Sequence, residues 1–415
     1  MTEVVVVGAG IVGLGCAFHL LQDGHRVTIL DRDPEGDRAS HGNAGGIAVP
    51  EVVPASHPGL WARVPGWLID PLGPLSIRPG HLPELLPWLY RFSRAGSPRL
   101  VEGGARALAA LNSRTYDDLT PMLDAIGLGG ELHRVGALCV YESEEGLARD
   151  RAEWDLRAKL GIAFERIAGA EARAKEPALG PRIKCAIELP TWSHVFDPRR
   201  LVAALRDWAR SRGAAIVVGE AVDFDGANVV TPHGRRVPFA ECVVAAGAWS
   251  ARLAKRIGDR AFIESERGYN TTLPASGVAL SREIIFAERK FVATPLAFGL
   301  RIGGAAEFAG LEAPPNFRRS EALLALARLY LPGLRTEDGV AWMGHRPATP
   351  DSLPIIGRSP RRRNILYACG HGHLGLTQAA TTGRLIADLI GERTPPIDMT
   401  PYSIARFARA GFVSK

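Results

Sequence analysis

Four consecutive valines, Val4 to Val7, follow a short polar lead, and an apolar run of this kind predicts a strand buried on both faces. Gly8-Ala9-Gly10-Ile11-Val12-Gly13 comes next. A helix, Gly24 and a second apolar run from Val27 to Leu30 then complete a strand–helix–strand unit that ends on Asp31. Amphipathic helices are predicted over residues 102–126 and 143–160, on either side of a strand at 137–141. Asp197-Pro198 starts a helix, with Asp as cap and Pro at the first position; it runs to about Arg212 and stops at Gly213. Strand 215–218, a hairpin around His233-Gly234 and a buried strand from Glu241 follow. The last leads into the small-residue turn Ala245-Ala246-Gly247-Ala248-Trp249-Ser250. Strands dominate residues 268–307, a helix covers 321–330, and strand 364–369 precedes a helix at 378–390.

Between residues 59 and 90 the periodicity fails. Prolines at 65, 71, 74, 79, 83 and 87 predict an irregular layer without a long helix. Its tryptophans, Trp61, Trp67 and Trp88, suit a packed covering loop, a substrate entrance or a membrane surface. Taken in order, the elements predict an α/β fold. A Rossmann-type dinucleotide domain (1–55, 195–255 and 340–415) is interleaved with an α+β substrate domain (56–194 and 256–339) whose sheet is mostly antiparallel.

Composition changes this picture little. The 415 residues are 46% hydrophobic and 23% charged, as in ordinary globular proteins, and the net charge of +6 is spread out. Only Arg361-Arg362-Arg363 cluster, and a solvated turn explains them better than a nucleic-acid site. Five scattered cysteines without metal-like spacing suit a reducing compartment. Val4 to Leu21 carries no formal charge, yet its glycines fit strand–turn–helix better than a membrane span, and the lead lacks a basic signal-peptide region. The expectation is a cytoplasmic protein, with peripheral contact at the inner face of the cell membrane as the variant that the tryptophans raise.

The chemistry starts at the glycines. In the first turn Gly8 permits the tight bend, Gly10 lets backbone approach a pyrophosphate, and Gly13 lets helix and strand pack closely. Asp31 is placed for ribose hydroxyls, which leaves NAD and FAD both open. A second such turn, Gly370-His371-Gly372-His373-Leu374-Gly375-Leu376-Thr377, aims another helix end at an electron-rich group. A flavin, whose reduced ring carries negative charge, answers that demand and NAD does not.

Gly8-x-Gly10-x-x-Gly13 with Asp31, Asn43-Ala44-Gly45, Ala246-Gly247-Ala248-Trp249, Arg267-Gly268-Tyr269, Gly303-Gly304-x-x-Glu307, Arg346-Pro347-x-x-Pro350-Asp351 and the Gly370 turn resemble the D-amino-acid oxidase family of FAD enzymes. Within it the likeness is to bacterial D-amino-acid dehydrogenases, including those for D-proline and cis-4-hydroxy-D-proline, with glycine and sarcosine oxidases as more distant relatives. The resemblance implies FAD contacts at Gly8, Gly10, Ile11, Val12, Gly13, Asp31, Arg32, Asn43, Ala44, Gly45, Gly46, Val222, Ala246, Gly247 and Trp249. It implies further ones at Gly370, Gly372, His373, Leu374, Gly375, Leu376 and Thr377. It assigns Arg346 and Tyr269 to the carboxylate of an amino-acid substrate, Ile47 to its side chain and His373 to substrate or flavin. Arg301 is expected to be a solvent-exposed strand residue. Gly344 and His345 stand where relatives with covalent flavin carry cysteine, so non-covalent FAD is expected. The implied activity is hydride transfer from the substrate α-carbon to flavin N5, with electrons passed to a quinone or another carrier. The alternatives are an oxygen-using amine oxidase and a non-catalytic flavoprotein.

Overall fold

The computed structural model describes residues 1–70 and 72–408. A six-stranded sheet runs in the order Ala215–Val218, Arg26–Asp31, Glu3–Val7, Glu241–Val244, Ile365–Cys369, Ile355–Arg358. All its pairs are parallel except the last. Its central strands are apolar throughout because both faces are covered, one by helices and the other mainly by a small antiparallel sheet holding Val229 and Val237, and Val4, Val5, Val6, Val243 and Val244 are almost fully buried. Two of those helices, Ile11–Gln22 and Gly375–Ile390, cross at small residues. A Cβ on Gly15 would stand 2.7 Å from the Ala379 carbonyl oxygen, and one on Gly383 would stand 2.2 Å from that of Gly15. Their backbones approach this closely only because both positions lack side chains.

The second large sheet is mostly antiparallel, in the order Val340–Ala348, Glu264–Leu273, Gly299–Phe308, Phe291–Leu296, Glu283–Phe286, Ala137–Tyr141, Cys185–Leu189, Glu165–Ala168. Alternation along its strands divides the faces. Tyr269, Leu273 and Ile302 pack in one apolar cluster with Leu323, Leu326 and Tyr330 of the helix Arg318–Tyr330. Gly268, Asn270 and Gly303 line a cavity on the opposite face, shared with the parallel sheet.

Most expected elements form, and the departures have local causes. The 59–90 segment contains two helices, Leu60–Ile69 and Leu82–Ala95. Pro83 sits in a first turn, where no N–H is needed, and Pro65 and Pro87 each remove one helical bond without ending the helix. Pro71 lies outside the described residues. The helix expected over 102–126 is two, Pro98–Asn112 and Thr115–Ala125. The last residue before the break is Asn112, whose side chain donates to the Val49 and Glu51 carbonyls and accepts from Gln378. The stretch 143–160 likewise divides, at Asp150. Its carboxylate accepts from Tyr141 and pairs with Arg63. The C-terminal helix starts at Gly375, three residues before the expected 378.

Candidate active site

Both glycine turns open on one cavity of about 1250 Å³ between the two sheets. Gly8 turns at φ +112°, and a Cβ there would meet the Ala245 carbonyl oxygen at 2.4 Å, so only glycine lets the first strand bend beside its neighbour. Gly13 is buried against Gly8, while Gly10, Ile11 and Val12 face the cavity. The helix Ile11–Gln22 begins without a side-chain cap, so first-turn amides point at whatever anion enters, except that of Ile11, which Ser40 Oγ accepts at 2.9 Å. Asp31 accepts from the Ala9 amide at 2.7 Å and from Arg38 Nη1 at 3.0 Å. Arg32 lies over the Trp249 ring, 4.1 Å from its centroid. Val222, Ala246 and Gly247 complete this end.

At the other turn Gly372, His373, Gly375 and Leu376 line the cavity. A side chain on Gly372, at φ +53°, would meet nothing within 4 Å, which leaves room for a flat ligand against this backbone. Leu374 is part of the core, and Gly370 turns against Thr349 behind the cavity wall. Thr377 Oγ1 accepts from the Ala48 amide at 2.9 Å and ties the Asn43–Ala48 loop to this helix. Within that loop Asn43 braces the turn, accepting from the Gly45 amide at 2.7 Å and donating to the Ser40 carbonyl at 2.6 Å. Ala44, Gly45 and Gly46 face the cavity. Ile47 does not: it is fully buried in the main core, because alternation at this short strand sends Gly46 and Ala48 to the cavity and Ile47 away from it. Ile47 is therefore no wall for a substrate side chain. His371 bonds Thr382 through Nε2 at 2.9 Å, and burial lowers its pKa to about 3, so the ring is neutral beside the cavity.

Arg346, on the strand Val340–Ala348, reaches over the neighbouring strand into the same space. Nη1 donates to Glu266 Oε1 at 2.7 Å and to the Ala305 carbonyl at 3.0 Å, and Nη2 lies 3.4 Å from the Gly304 carbonyl oxygen. Gly268 provides the slot, since a Cβ there would stand 2.4 Å from Nη2. Ala305 sits at φ +54°, an unusual conformation for a residue with a side chain, and its carbonyl meets the guanidinium. Tyr269 also borders the cavity, but its side chain packs into the apolar cluster behind the sheet. Its hydroxyl donates to Glu307 Oε2 at 2.5 Å and accepts from the Asn316 amide at 2.9 Å, and its ring packs edge-on to Phe317. The structure therefore does not offer the Tyr269 hydroxyl as a second anchor beside Arg346. Arg301 is likewise not an exposed strand residue: it is buried, donates to Thr272 Oγ1 and to the Asn43 carbonyl, and burial lowers its pKa to about 10. His345 bonds Ser265 Oγ at 2.7 Å; burial, with Arg267 and Arg32 nearby, lowers its pKa to about 4.

One cavity thus has two uncapped helix ends, a glycine-lined floor and a guanidinium at its far side. A family model described as DAO, FAD-dependent oxidoreductase, matches residues 3–389. The chain belongs to this family. It is 37% identical over 417 residues to a D-amino-acid oxidase of Bradyrhizobium diazoefficiens, covering 98% of this chain and 99% of that one. It is 33% identical to D-amino acid dehydrogenase 2 of Ralstonia nicotianae, covering 97% and 100%. Among solved structures, L-proline dehydrogenase from P. horikoshii shares the fold, with a TM-score of 0.74 at 20% identity over 98% of both chains. The cofactor of this family is FAD, and the residues fit it. The Gly10 end suits the pyrophosphate, Asp31 the ribose, and the Gly372–Leu376 turn the isoalloxazine.

Sequence reasoning missed Glu266, Gly268, Trp192 and Glu283 as cavity residues. Two signals were available. Glu266 and Gly268 share one face at the strand period of two, and Glu283 is a lone carboxylate heading an apolar strand.

Proposed function

We propose that this oxidoreductase is a D-amino-acid dehydrogenase, oxidising the α-carbon of a D-amino acid and passing the electrons to a quinone or another carrier. Arg346 carries the reading. It is a cavity guanidinium seated over Gly268, in a chain similar along its whole length to proteins named for D-amino acids. Non-covalently bound FAD supplies the hydride acceptor, N5. Arg346 holds the substrate carboxylate bidentately, exchanging part of its contact with Glu266 for it, and so fixes the α-carbon. The sheet strands above exclude water, and the two neutral histidines, His345 and His371, add no competing charge. The neutral amine loses the α-hydrogen as hydride and a nitrogen proton to solvent, leaving an imino acid that water converts to a 2-oxo acid and ammonia. With a cyclic substrate such as D-proline or cis-4-hydroxy-D-proline, to which the resemblance points, the product remains a cyclic imine.

An oxidase using oxygen directly is favoured by one observation, the likeness to the Bradyrhizobium protein named D-amino-acid oxidase. Anaerobic mixing with D- and L-amino acids tests the substrate reading by flavin bleaching. Reoxidation of the bleached enzyme by air or by a soluble quinone then separates oxidase from dehydrogenase, because a dehydrogenase reoxidises promptly only with the quinone.

Membrane contact belongs to the same proposal. Among the described residues no helix is long and apolar enough to cross a membrane. The helices Leu60–Ile69 and Leu82–Ala95 nonetheless expose Trp61, Leu68, Ile69, Leu86 and Tyr90, while Trp67 and Leu68 also line the cavity. A surface of this kind suits a peripheral enzyme that meets its quinone at a bilayer.

A further inference from the structure

Glu283 heads the strand Glu283–Phe286, is 2% exposed, and lines the cavity. Its one hydrogen-bond partner is the Trp192 indole, 3.2 Å from Oε2, and no basic side chain pairs with it among the described residues. The carboxyl group packs on Gly46, where a Cβ would stand 2.6 Å from Oε2, so glycine at 46 makes room for it. Thr294, one residue beyond the Ile284–Ala293 pair and hence beside Glu283, has a buried hydroxyl with no partner. Ile285 and Val292 line the cavity next to these polar groups. Burial raises the Glu283 pKa to about 8. A buried carboxyl group without a counter-ion is costly to ionise, and an incoming cation supplies that counter-charge.

The sheet register sets the distance to Arg346, whose guanidinium contacts the Gly304 and Ala305 carbonyls. Gly304 pairs with Phe291, and Phe291 with Phe286, so Glu283 lies two strands across and three residues along from Gly304. At about 4.8 Å per strand and about 3.3 Å per residue, the Cα positions of Gly304 and Glu283 lie roughly 14 Å apart, which sets the scale of the gap between guanidinium and carboxyl group. An α-amino group lies too near its own carboxylate to span that gap. A lysine-length side chain does span it: its terminal nitrogen is about 7 Å from the carboxylate, and a hydrogen-bonded contact at each end adds about 3 Å.

We propose that Glu283 receives the terminal cation of a basic amino-acid substrate whose carboxylate is held by Arg346, with Ile285 and Val292 against the methylene chain. The proposal rests on the reading of Arg346 as the carboxylate anchor. It ranks D-lysine and D-arginine above D-norleucine, which has the chain without the charge, and above D-proline.

Two ligands that lack the α-amino group test it without turnover. Perturbation of the flavin spectrum reports binding of ε-aminocaproate, which carries both charges, and of caproate, which carries only the carboxylate. The FAD-loaded wild-type enzyme should bind ε-aminocaproate about tenfold or more tightly than caproate, and Glu283→Gln should abolish the difference. In turnover, Glu283→Gln should raise KM for D-lysine at least tenfold more than KM for D-norleucine. Equal binding of the two ligands by the wild-type enzyme overturns the proposal. So does a Glu283→Gln enzyme that keeps the preference, or one that weakens both ligands equally while shifting the flavin spectrum, which would make Glu283 a flavin contact. The Arg346 reading fails separately: Arg346→Leu would then leave caproate affinity unaltered, whatever the ratio between the two ligands.

Discussion

Gly268 and Arg346 form one device, a guanidinium lying in the space that a side chain would otherwise fill. Gly268→Ala should push Arg346 out of register and lower kcat/KM for any D-amino acid about tenfold, mainly through KM. Arg346→Leu should lower it about a hundredfold or more, since a partly desolvated charge pair is lost. Steady-state kinetics on both variants checks this. Glu283 makes a second expectation, about stability. Its folded pKa, about 8, lies above the ordinary carboxylate value of about 4.3, so the unfolded chain ionises first and stability falls as pH rises between those values. Near it stand the Trp192 indole and His194, which pairs with Gly46 and is kept neutral by a pKa lowered to about 4, while Arg301, opposite Thr294 in the register, and Lys290 line the same cavity. Glu283→Gln should match the wild type near pH 4 and exceed it by about 2–4 kcal/mol near pH 8.5, read by thermal unfolding at both pH values. Equal stability at the higher pH would contradict the assignment. The two glycine turns that open on the cavity are legible at this scale because glycine spacing encodes backbone geometry directly. Residue type does not say which face of a strand a side chain takes, whereas the register does: it sends the Tyr269 hydroxyl to Glu307 and Ile47 into the core.

Among the elements, the crossing of Ile11–Gln22 with Gly375–Ile390 holds the two FAD-facing helix ends in fixed relation. Gly383→Val would place a side chain where a Cβ already stands 2.2 Å from the Gly15 carbonyl oxygen. It should cost about 3 kcal/mol or more and reduce FAD retention, measured by thermal unfolding and by the flavin absorbance of purified protein. A variant with unchanged stability and full flavin would show that the crossing tolerates separation. The helices Leu60–Ile69 and Leu82–Ala95 carry the membrane expectation. The enzyme should co-sediment with anionic liposomes at low salt, and Leu68→Asp with Ile69→Asp should release it; wild-type protein that stays in the supernatant would contradict membrane contact. The prolines mask these two helices in the sequence, although a first-turn proline costs nothing and a single interior one removes one bond. The division within 98–125 is not legible in the local pattern because Asn112, just before the interruption, serves contacts with residues far away in sequence.

At the scale of the whole molecule, the parallel sheet draws its strands from three separate stretches of chain, and the second sheet occupies much of what lies between them. Strand–helix order made that interleaving legible. Order alone does not show that one cavity brings the two glycine turns together with Arg346 and Glu283. Oxidation in this cavity of D-amino acids held by Arg346 is tested by anaerobic mixing of the FAD-loaded enzyme with matched D- and L-amino acids, followed at the flavin absorbance. The D-enantiomers should bleach the flavin, the L-enantiomers should not, and Arg346→Leu should lose the response at the same concentrations. Absence of bleaching with every D-amino acid, or bleaching that Arg346→Leu leaves unaltered, would contradict the account.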